Sequence, residues 1–323
     1  MFRRLLFALS ALVSTFALVG SAHAAEPRLT VAKAKLDAAL KCTAGVNDAQ
    51  RTPIMLVTGT GASGDEAYAI GKPAFDHYGA PVCWVNFPDK TTADVQVSVQ
   101  YLVAGLRTMS RRAGRPIAVF GISQGGLLPR IALTYWPSLR AKVSDVIAAA
   151  GTQHGTAAAG FDACRVKKLS CTPASFQQAA GSNFLKALNN GQRDETPGPT
   201  SWTTVRSSTD GTVQPTTGAH PTSALTGATN VLIQSQCPGR TVTHIGTALD
   251  SVTFALIDDA ITHAGPAKVS RLPVDVCDHL YAPGLDDTTT TNLISAAESL
   301  TAGRSGSEPK VRREPPVRSW AKR

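Results

Sequence analysis

The sequence predicts an α/β fold in which a mostly parallel central sheet is flanked by helices. From Pro53 onward, short apolar runs alternate with stretches of helical spacing, which is the rhythm of a parallel sheet covered by helices. The apolar runs, each typical of a buried strand, lie at 54–57, 82–87, 117–120, 143–150 and 231–233. With 323 residues, of which 43% are hydrophobic and 17% charged, the chain can bury a large core.

A helix is predicted between the second and third runs, and a cap after the fourth. Asp94 precedes and Gly114 follows the apolar positions of this helix, which recur at helical spacing: Val95, Val99, Leu102, Val103, Leu106 and Met109. Residues 152–199 are instead rich in Ala, Gly, Ser, Thr and Gln and have no strong strand pattern. We interpret them as a small cap above the sheet rather than a separate domain.

The N-terminus has the pattern of a secretory signal peptide. Arg3 and Arg4 precede an apolar run at 5–19, and residues 22–24 read Ala-His-Ala, a small-residue cleavage signal. We expect cleavage near Ala24 and a secreted protein whose main domain covers 25–302.

Cysteine usage agrees with export. The six cysteines are an even number, which favours disulfides in an exported chain, and spacing alone permits fifteen pairings. No C-x-x-C pair or H-E-x-x-H motif occurs, so no metal site is predicted.

The net charge of +9 does not indicate nucleic-acid binding, because it is unevenly placed. Arg3 and Arg4 contribute +2, and residues 303–323 contribute +5 from seven basic and two acidic side chains. The remaining body carries only +2, too little for a nucleic-acid surface. The tail at 303–323 contains prolines and is flanked by Gly and Ser, so we expect a disordered, solvated extension that helps adhesion to anionic surfaces.

Residues 121–125, Gly-Ile-Ser-Gln-Gly, have the G-x-S-x-G form of a nucleophile elbow. The glycines permit a strained strand-to-helix turn that exposes the serine hydroxyl. The motif follows the apolar run 117–120 and precedes a helical pattern, which is the context that this chemistry requires. The sequence therefore predicts Ser123 as the nucleophile of an α/β-hydrolase fold.

A serine nucleophile needs an imidazole to accept its proton and a carboxylate to orient that imidazole. In this fold they follow the nucleophile in the order acid, then histidine. Asp210 opens an Asp-Gly turn after the strand-like residues 202–205, and His244 lies between the run at 231–233 and an apolar helical pattern at 252–257. Both positions match strand-to-helix loops, so we predict Asp210 as the acid and His244 as the base.

Several further histidines and aspartates compete for these roles. His154 precedes Asp210 and so breaks the chain order, while His263 lies beyond the helix that follows His244. The remaining candidates are His220, His279, Asp250, Asp258 and Asp259, of which the three aspartates come later than His244.

Acyl transfer also needs N–H donors for the oxyanion of the tetrahedral intermediate. Gln124, directly after the nucleophile, supplies one, and the loop Thr58-Gly59-Thr60-Gly61 after the first apolar run supplies another. The loop carries neither a Walker lysine nor the full dinucleotide fingerprint, so no phosphate-bearing cofactor is predicted.

Five segments carry a more specific pattern than G-x-S-x-G alone. They are Pro-Ile-Met-Leu-Val-Thr-Gly-Thr-Gly at 53–61, Ala-Pro-Val-Cys-Trp at 80–84, Ser-Gln-Gly-Gly-Leu at 123–127, Ser-Thr-Asp-Gly-Thr-Val-Gln-Pro at 208–215 and Thr-His-Ile-Gly at 243–246. With these segments the chain resembles the Candida antarctica lipase B-like family of α/β-hydrolases, as a bacterial-type member, over residues 36–279.

The resemblance implies roles for individual residues. Ser123, Asp210 and His244 would form the triad, and Thr60 and Gln124 the oxyanion hole, with the threonine giving both its N–H and its hydroxyl. Ile122, which stands where the family has tryptophan, and Thr152 would line the substrate pocket. The implied disulfides are Cys42–Cys83, Cys237–Cys277 and, within the cap, Cys164–Cys171.

The predicted function is hydrolysis of carboxylic esters, either acylglycerols or smaller esters, through an acyl-serine and without a cofactor. We expect a monomer that contacts a lipid–water interface transiently and does not bind nucleic acid. A polyester depolymerase or an acyltransferase would use the same triad, and product analysis separates these activities. A non-enzymatic surface-binding protein would not need an intact triad together with an oxyanion loop.

Overall fold

A computed structural model describes residues 25–191, 193–302 and 308–322, so the predicted signal peptide at 1–24 lies outside the described residues. Seven strands form one sheet: β1 (Leu40–Cys42), β2 (Ile54–Val57), β3 (Val82–Val85), β4 (Ile117–Ile122), β5 (Val143–Ala149), β6 (Ser201–Arg206) and β7 (Thr229–Leu232). Their order in the sheet is β1-β3-β2-β4-β5-β6-β7. Only the pairing of β1 with β3 is antiparallel. The predicted mostly parallel α/β sheet is therefore confirmed.

Eleven α-helices are present in the described part of the chain. They are α1 (Lys33–Ala39), α2 (Gly64–Tyr78), α3 (Val95–Ala113), α4 (Gln124–Tyr135), α5 (Ala159–Val166), α6 (Pro173–Gln178), α7 (Asn183–Leu188), α8 (Ile233–Gln236), α9 (Gly246–Leu249), α10 (Ser251–Thr262) and α11 (Asp287–Ala302). Short 3-10 turns occupy Pro88–Thr91, Pro137–Lys142, Val269–Arg271, Val276–Asp278 and Ser319–Lys322. None of the helices in these ranges is long and apolar enough to cross a membrane.

The two faces of the sheet bury separate apolar clusters. Met55 and Val57 of β2 point to the cluster that contains the buried side chains of α3 and α4. Their neighbours Ile54 and Leu56 point to the cluster that contains α2 and α10. This alternation is what a strand that is covered on both faces by helices requires.

The predicted crossover helix begins and ends where its sequence signals indicate. The Asp94 side chain accepts a hydrogen bond from the Gln96 N–H, and Gly114 follows the helix with a left-handed φ of 63°. An N-cap carboxylate and a C-terminal glycine each satisfy groups that a helix end leaves unpaired. The short edge strand β1 was not predicted, because three residues carry too little pattern; it pairs with β3, and Cys42 is joined to Cys83 there.

The segment predicted as a cap contains the three short helices α5, α6 and α7, between β5 and β6. The Cys164–Cys171 disulfide closes the loop between α5 and α6, and the third bond joins Cys237 to Cys277. These are the pairs that the family resemblance implies. Helix α6 is tied to the body through Gln177, whose amide bonds the Val95 N–H and the Asp94 carboxylate at 2.9 and 2.7 Å.

The prediction of a disordered tail is wrong for residues 308–322, which pack on the body. Trp320 lies against Tyr135 and Trp136, with ring centroids 4.8 and 5.1 Å apart, and Ala321 is fully buried. The buried Gln96 amide accepts from the Arg318 N–H at 2.7 Å and donates to the Pro316 carbonyl at 3.1 Å. A few apolar anchors and paired backbone groups thus hold a segment whose composition is mostly polar.

Candidate active site

Ser123 lies at the tight turn between β4 and α4, which gives it a strained backbone with φ 58° and ψ −123°. Glycine is required on both sides of this turn. A Cβ at Gly121 would lie 2.0 Å from the Gly125 carbonyl oxygen, and one at Gly125 would lie 2.0 Å from the Val57 carbonyl oxygen. Non-glycine residues rarely adopt positive φ, and such strain clusters at functional sites.

Asp210 and His244 form an acid–imidazole pair in which Asp210 is buried and His244 is partly buried. His244 Nδ1 lies 2.8 Å from Asp210 Oδ2, while Asp210 Oδ1 accepts from the N–H groups of Thr212 and Val213 at 2.7 and 3.0 Å. Asp210 is only 2% exposed. Because both carboxylate oxygens are occupied by donors, the carboxylate holds the imidazole with its proton on Nδ1 and leaves Nε2 to accept one.

Two hydrogen bonds from Gln214 hold the loop that carries Asp210 in place. The Gln214 side-chain amide donates to the Asp210 carbonyl, and the Gln214 N–H donates to the Thr156 hydroxyl at 3.1 Å. The Asp-x-x-Val-Gln-Pro segment therefore folds back on its own aspartate.

Among the described residues, no hydrogen-bond partner of the Ser123 hydroxyl is present, so Oγ is free to rotate toward a reacting group. Catalytic hydrogen bonds in free enzymes are often long and tighten only when substrate binds. The loop before α2 approaches Ser123 closely, since a Cβ at Gly59 would lie 3.1 Å from the Ser123 Cβ.

Thr60 and Gln124 lie together beside Ser123. The Thr60 hydroxyl is 3.4 Å from Gln124 Oε1, a long contact. In the described part of the chain, neither the Thr60 N–H nor the Gln124 N–H has an acceptor. Two unpaired N–H groups and a hydroxyl near a nucleophile form the donor set that an oxyanion needs.

Gln178, at the end of α6, joins this donor set to the cap, and the sequence did not single it out. Its buried amide donates from Nε2 to the Thr60 hydroxyl at 2.8 Å and accepts at Oε1 from the Thr152 hydroxyl at 3.1 Å. Thr152, predicted to line the pocket, is itself fully buried and is engaged by Gln178. The one sequence feature at this position is the Gln177-Gln178 pair at the end of the short helix α6. A pair of residues has no periodicity, so the sequence could not assign Gln178 a role.

The competing histidines and aspartates are engaged elsewhere. His154 contacts the Glu195 carboxylate through Nε2 at 2.8 Å and the Thr222 carbonyl through Nδ1 at 3.1 Å. His220 is exposed. The rest form ion pairs away from Ser123: Asp250 with Arg240, Asp258 with Arg51, Asp259 with Arg271 and His263, and His279 with Asp275.

Glu195 belongs to a charged cluster with Arg130 and His154. Arg130 is almost fully buried; burial lowers its pKa to about 10, so it stays charged at neutral pH, and its guanidinium lies 3.7 Å from Glu195. Burial alone would raise the pKa of Glu195, but hydrogen bonds from His154 and the Thr226 N–H, with the charge of Arg130, hold that pKa at about 2.

Replacing Glu195 with glutamine is expected to destabilise the protein at pH 7 and much less at pH 3. The folded-state pKa of about 2 lies below the ordinary value of 4.5, so the carboxylate contributes stability above about pH 4.5, and this is lost as the pH falls toward 2. Thermal unfolding midpoints at both pH values check this. Asp37→Asn, at an exposed ion pair, is the control and should change little. Equal destabilisation by Glu195→Gln at both pH values would contradict the assignment.

Comparisons of sequence and of structure both relate the chain to lipases. No protein-family model matches the chain. Lipase B of Pseudozyma antarctica is 30% identical over 306 residues, covering 92% of this chain and 87% of that protein. The crystal structure of Aspergillus fumigatus lipase B matches with a TM-score of 0.80 at 31% identity, over 94% of this chain and 75% of that one. A Bacillus licheniformis lipase in its propeptide form matches with a TM-score of 0.50 at 19% identity, over 68% of this chain and 52% of that one, a likeness of fold alone.

Proposed function

Because the chain belongs to the lipase B family of α/β-hydrolases and is therefore a lipase or carboxylesterase, we propose that it cleaves esters through an acyl-enzyme on Ser123. The observations that carry this proposal are the strained backbone of Ser123, the hydrogen-bonded Asp210–His244 pair and the unpaired oxyanion donors beside the serine. Each feature costs some folding stability, and together they fit acyl transfer through a serine nucleophile.

In the proposed acylation step, Ser123 Oγ attacks the ester carbonyl carbon as His244 Nε2 takes its proton. The tetrahedral intermediate then collapses, and the imidazolium returns the proton to the leaving alkoxide, which departs as the alcohol. A water molecule repeats the sequence on the acyl-enzyme and releases the carboxylic acid. Throughout, the Asp210 carboxylate stabilises the positive charge on the imidazole.

The oxyanion would be held by the N–H groups of Gln124 and Thr60 and by the Thr60 hydroxyl. Ile122 precedes the nucleophile and packs partly buried against the α2–α10 cluster, so we propose it as a wall of the alcohol pocket. An isoleucine there leaves more room than the family's tryptophan. Thr152 then acts behind Gln178 rather than in contact with substrate.

We further propose that the protein acts outside the cell as a monomer, after cleavage near Ala24. Three disulfides support an oxidising compartment. Acylglycerols or smaller esters are the proposed substrates.

A panel of p-nitrophenyl esters from acetate to palmitate, with emulsified tributyrin and olive oil beside it, tests the substrate class. Hydrolysis of the soluble esters with release of the carboxylic acid is expected, and no added metal or cofactor should be needed. Release of acid from none of these esters would contradict the proposal.

Gln178→Leu is expected to lower kcat roughly tenfold to hundredfold while changing KM little, because loss of a single oxyanion donor costs about 10²–10³ in kcat. Gln178 is a positioning residue: by donating to Thr60 Oγ1 it leaves that hydroxyl's proton to reach the oxyanion. The Thr60 hydroxyl can exchange its long, weak contact with Gln124 Oε1 for a hydrogen bond to the oxyanion.

A double-mutant cycle with Thr60→Val separates this role from a structural one. Valine keeps the N–H and removes the hydroxyl, so Gln178→Leu should have little further effect in that background. An equal loss of kcat in both backgrounds would show that Gln178 acts independently of Thr60.

A further inference from the structure

The last turn of α5 and the loop that follows it present apolar and basic side chains side by side. Val166 is 59% exposed and Leu169 is 50% exposed, which is unusual for large apolar residues so close together. The basic residues of the same segment, all exposed, are Arg165 at the end of α5 and Lys167 and Lys168 in the loop. The Cys164–Cys171 disulfide closes the loop and limits its freedom.

The C-terminal segment adds more basic side chains to this loop. Backbone hydrogen bonds run in both directions between Val311 and Cys171, at 2.8 and 3.1 Å. This pairing brings three further exposed basic residues beside the loop: Lys310, Arg312 and Arg313. We call the surface formed by residues 165–169 and 310–313 the cap–tail surface.

Few acidic groups neutralise the cap–tail surface. Arg165 pairs with Asp162 at 3.4 Å. Glu314 is used elsewhere, since its carboxylate accepts from the N–H groups of Asn183 and Phe184 at the start of α7, both at 2.8 Å. Within the described residues, no ion pair or side-chain hydrogen bond engages the other five basic residues: Lys167, Lys168, Lys310, Arg312 and Arg313.

The cap–tail surface lies beside the proposed active site. Helix α6 begins two residues after Cys171 and ends at Gln178, which contacts Thr60. A six-residue helix is only about 9 Å long. One short helix therefore separates the cap–tail surface from the Gln178–Thr60 contact.

We propose that the cap–tail surface docks the enzyme on an anionic lipid surface and so delivers Ser123 to ester substrates held there. The inference rests on the proposed ester hydrolysis and names the surface on which it operates. Exposed apolar side chains enter the interfacial region, while unpaired lysines and arginines are attracted to acidic headgroups.

Vesicle binding of Ser123→Ala protein tests the proposal without lipid hydrolysis. The protein should bind phosphatidylcholine vesicles containing about 30% phosphatidylglycerol more tightly than pure phosphatidylcholine vesicles, and about 0.5 M salt should remove the difference. Removing four charges from the cap–tail surface should weaken anionic binding roughly 600-fold, since each basic residue near the surface contributes about fivefold. The substitutions are Lys167→Ala, Lys168→Ala, Arg312→Ala and Arg313→Ala.

A control variant removes the same charge from exposed positions outside the cap–tail surface: Lys35→Ala, Lys41→Ala, Arg111→Ala and Arg115→Ala. Its binding should change less than about threefold, whereas Val166→Ser with Leu169→Ser should weaken binding to both vesicle types. Equal losses in the charge variant and the control, or unchanged binding in the charge variant, would overturn the proposal.

The docking proposal and the proposed ester hydrolysis can be refuted independently of each other. With Ser123 intact, the variant that lacks the four charges should hydrolyse a soluble ester at the wild-type rate. Its thermal unfolding midpoint should also equal that of the wild-type protein. Loss of vesicle binding with normal turnover supports docking, while absent turnover in every variant would refute the ester hydrolysis and leave the vesicle result intact.

Discussion

Replacing His244 with alanine is expected to lower kcat/KM for a soluble p-nitrophenyl ester by about 10³-fold or more, because no group remains to take the Ser123 proton. The imidazole is the only one that the described residues pair with the buried Asp210 carboxylate. Steady-state kinetics at saturating and subsaturating ester concentrations measures the loss.

His154→Ala is the matched control, since His154 also contacts a carboxylate but in the Glu195 cluster. It should retain turnover within about tenfold and lose thermal stability instead. Retained activity in His244→Ala, with loss in His154→Ala, would reassign the base.

Ending the chain after Ala302 is expected to lower the free energy of unfolding by about 3 kcal/mol or more, which is the scale for removing a packed tryptophan. The truncation removes the Trp320 ring from its contacts with Tyr135 and Trp136 and deprives the buried Gln96 of both backbone partners. Thermal and denaturant unfolding of the full and shortened chains measure the change.

A chain that ends at Ala321 is the control, because it loses only Lys322 and Arg323. It keeps the Tyr135 hydroxyl bond to the Ala321 carbonyl, which is 3.0 Å long, and should unfold like the full chain. Trp320→Ala should reproduce much of the loss caused by truncation. Unchanged stability after truncation at Ala302 would mean that residues 308–322 do not pack on the body in solution.

The sheet, the glycine-flanked turn at Ser123 and the pairing of Asp210 with His244 could be predicted from the sequence because their signals are local. Buried strands appear as apolar runs, and the elbow needs glycine at 121 and 125 because a Cβ at either position would collide with backbone. The order of Ser123, Asp210 and His244 follows from which strand ends meet at one edge of the sheet.

The cap and the tail were less accessible because long-range contacts determine them. Gln178 reaches Thr60 across 118 residues, and no periodicity in a six-residue helix predicts such a bond. The basic charge of the tail indicated a solvated segment, yet Trp320 and a few backbone partners suffice to hold it. Composition averages over residues, whereas a segment can be anchored by a few of them.

Intact-protein mass spectrometry after treatment with a fluorophosphonate tests the central claim most directly. The reagent phosphonylates a serine hydroxyl that an adjacent base activates. One adduct is expected on the wild-type chain, on the peptide that contains Ser123, and none is expected on Ser123→Ala. An adduct of equal yield on Ser123→Ala, or an adduct on another residue of the wild-type chain, would contradict the assignment of Ser123 as the nucleophile.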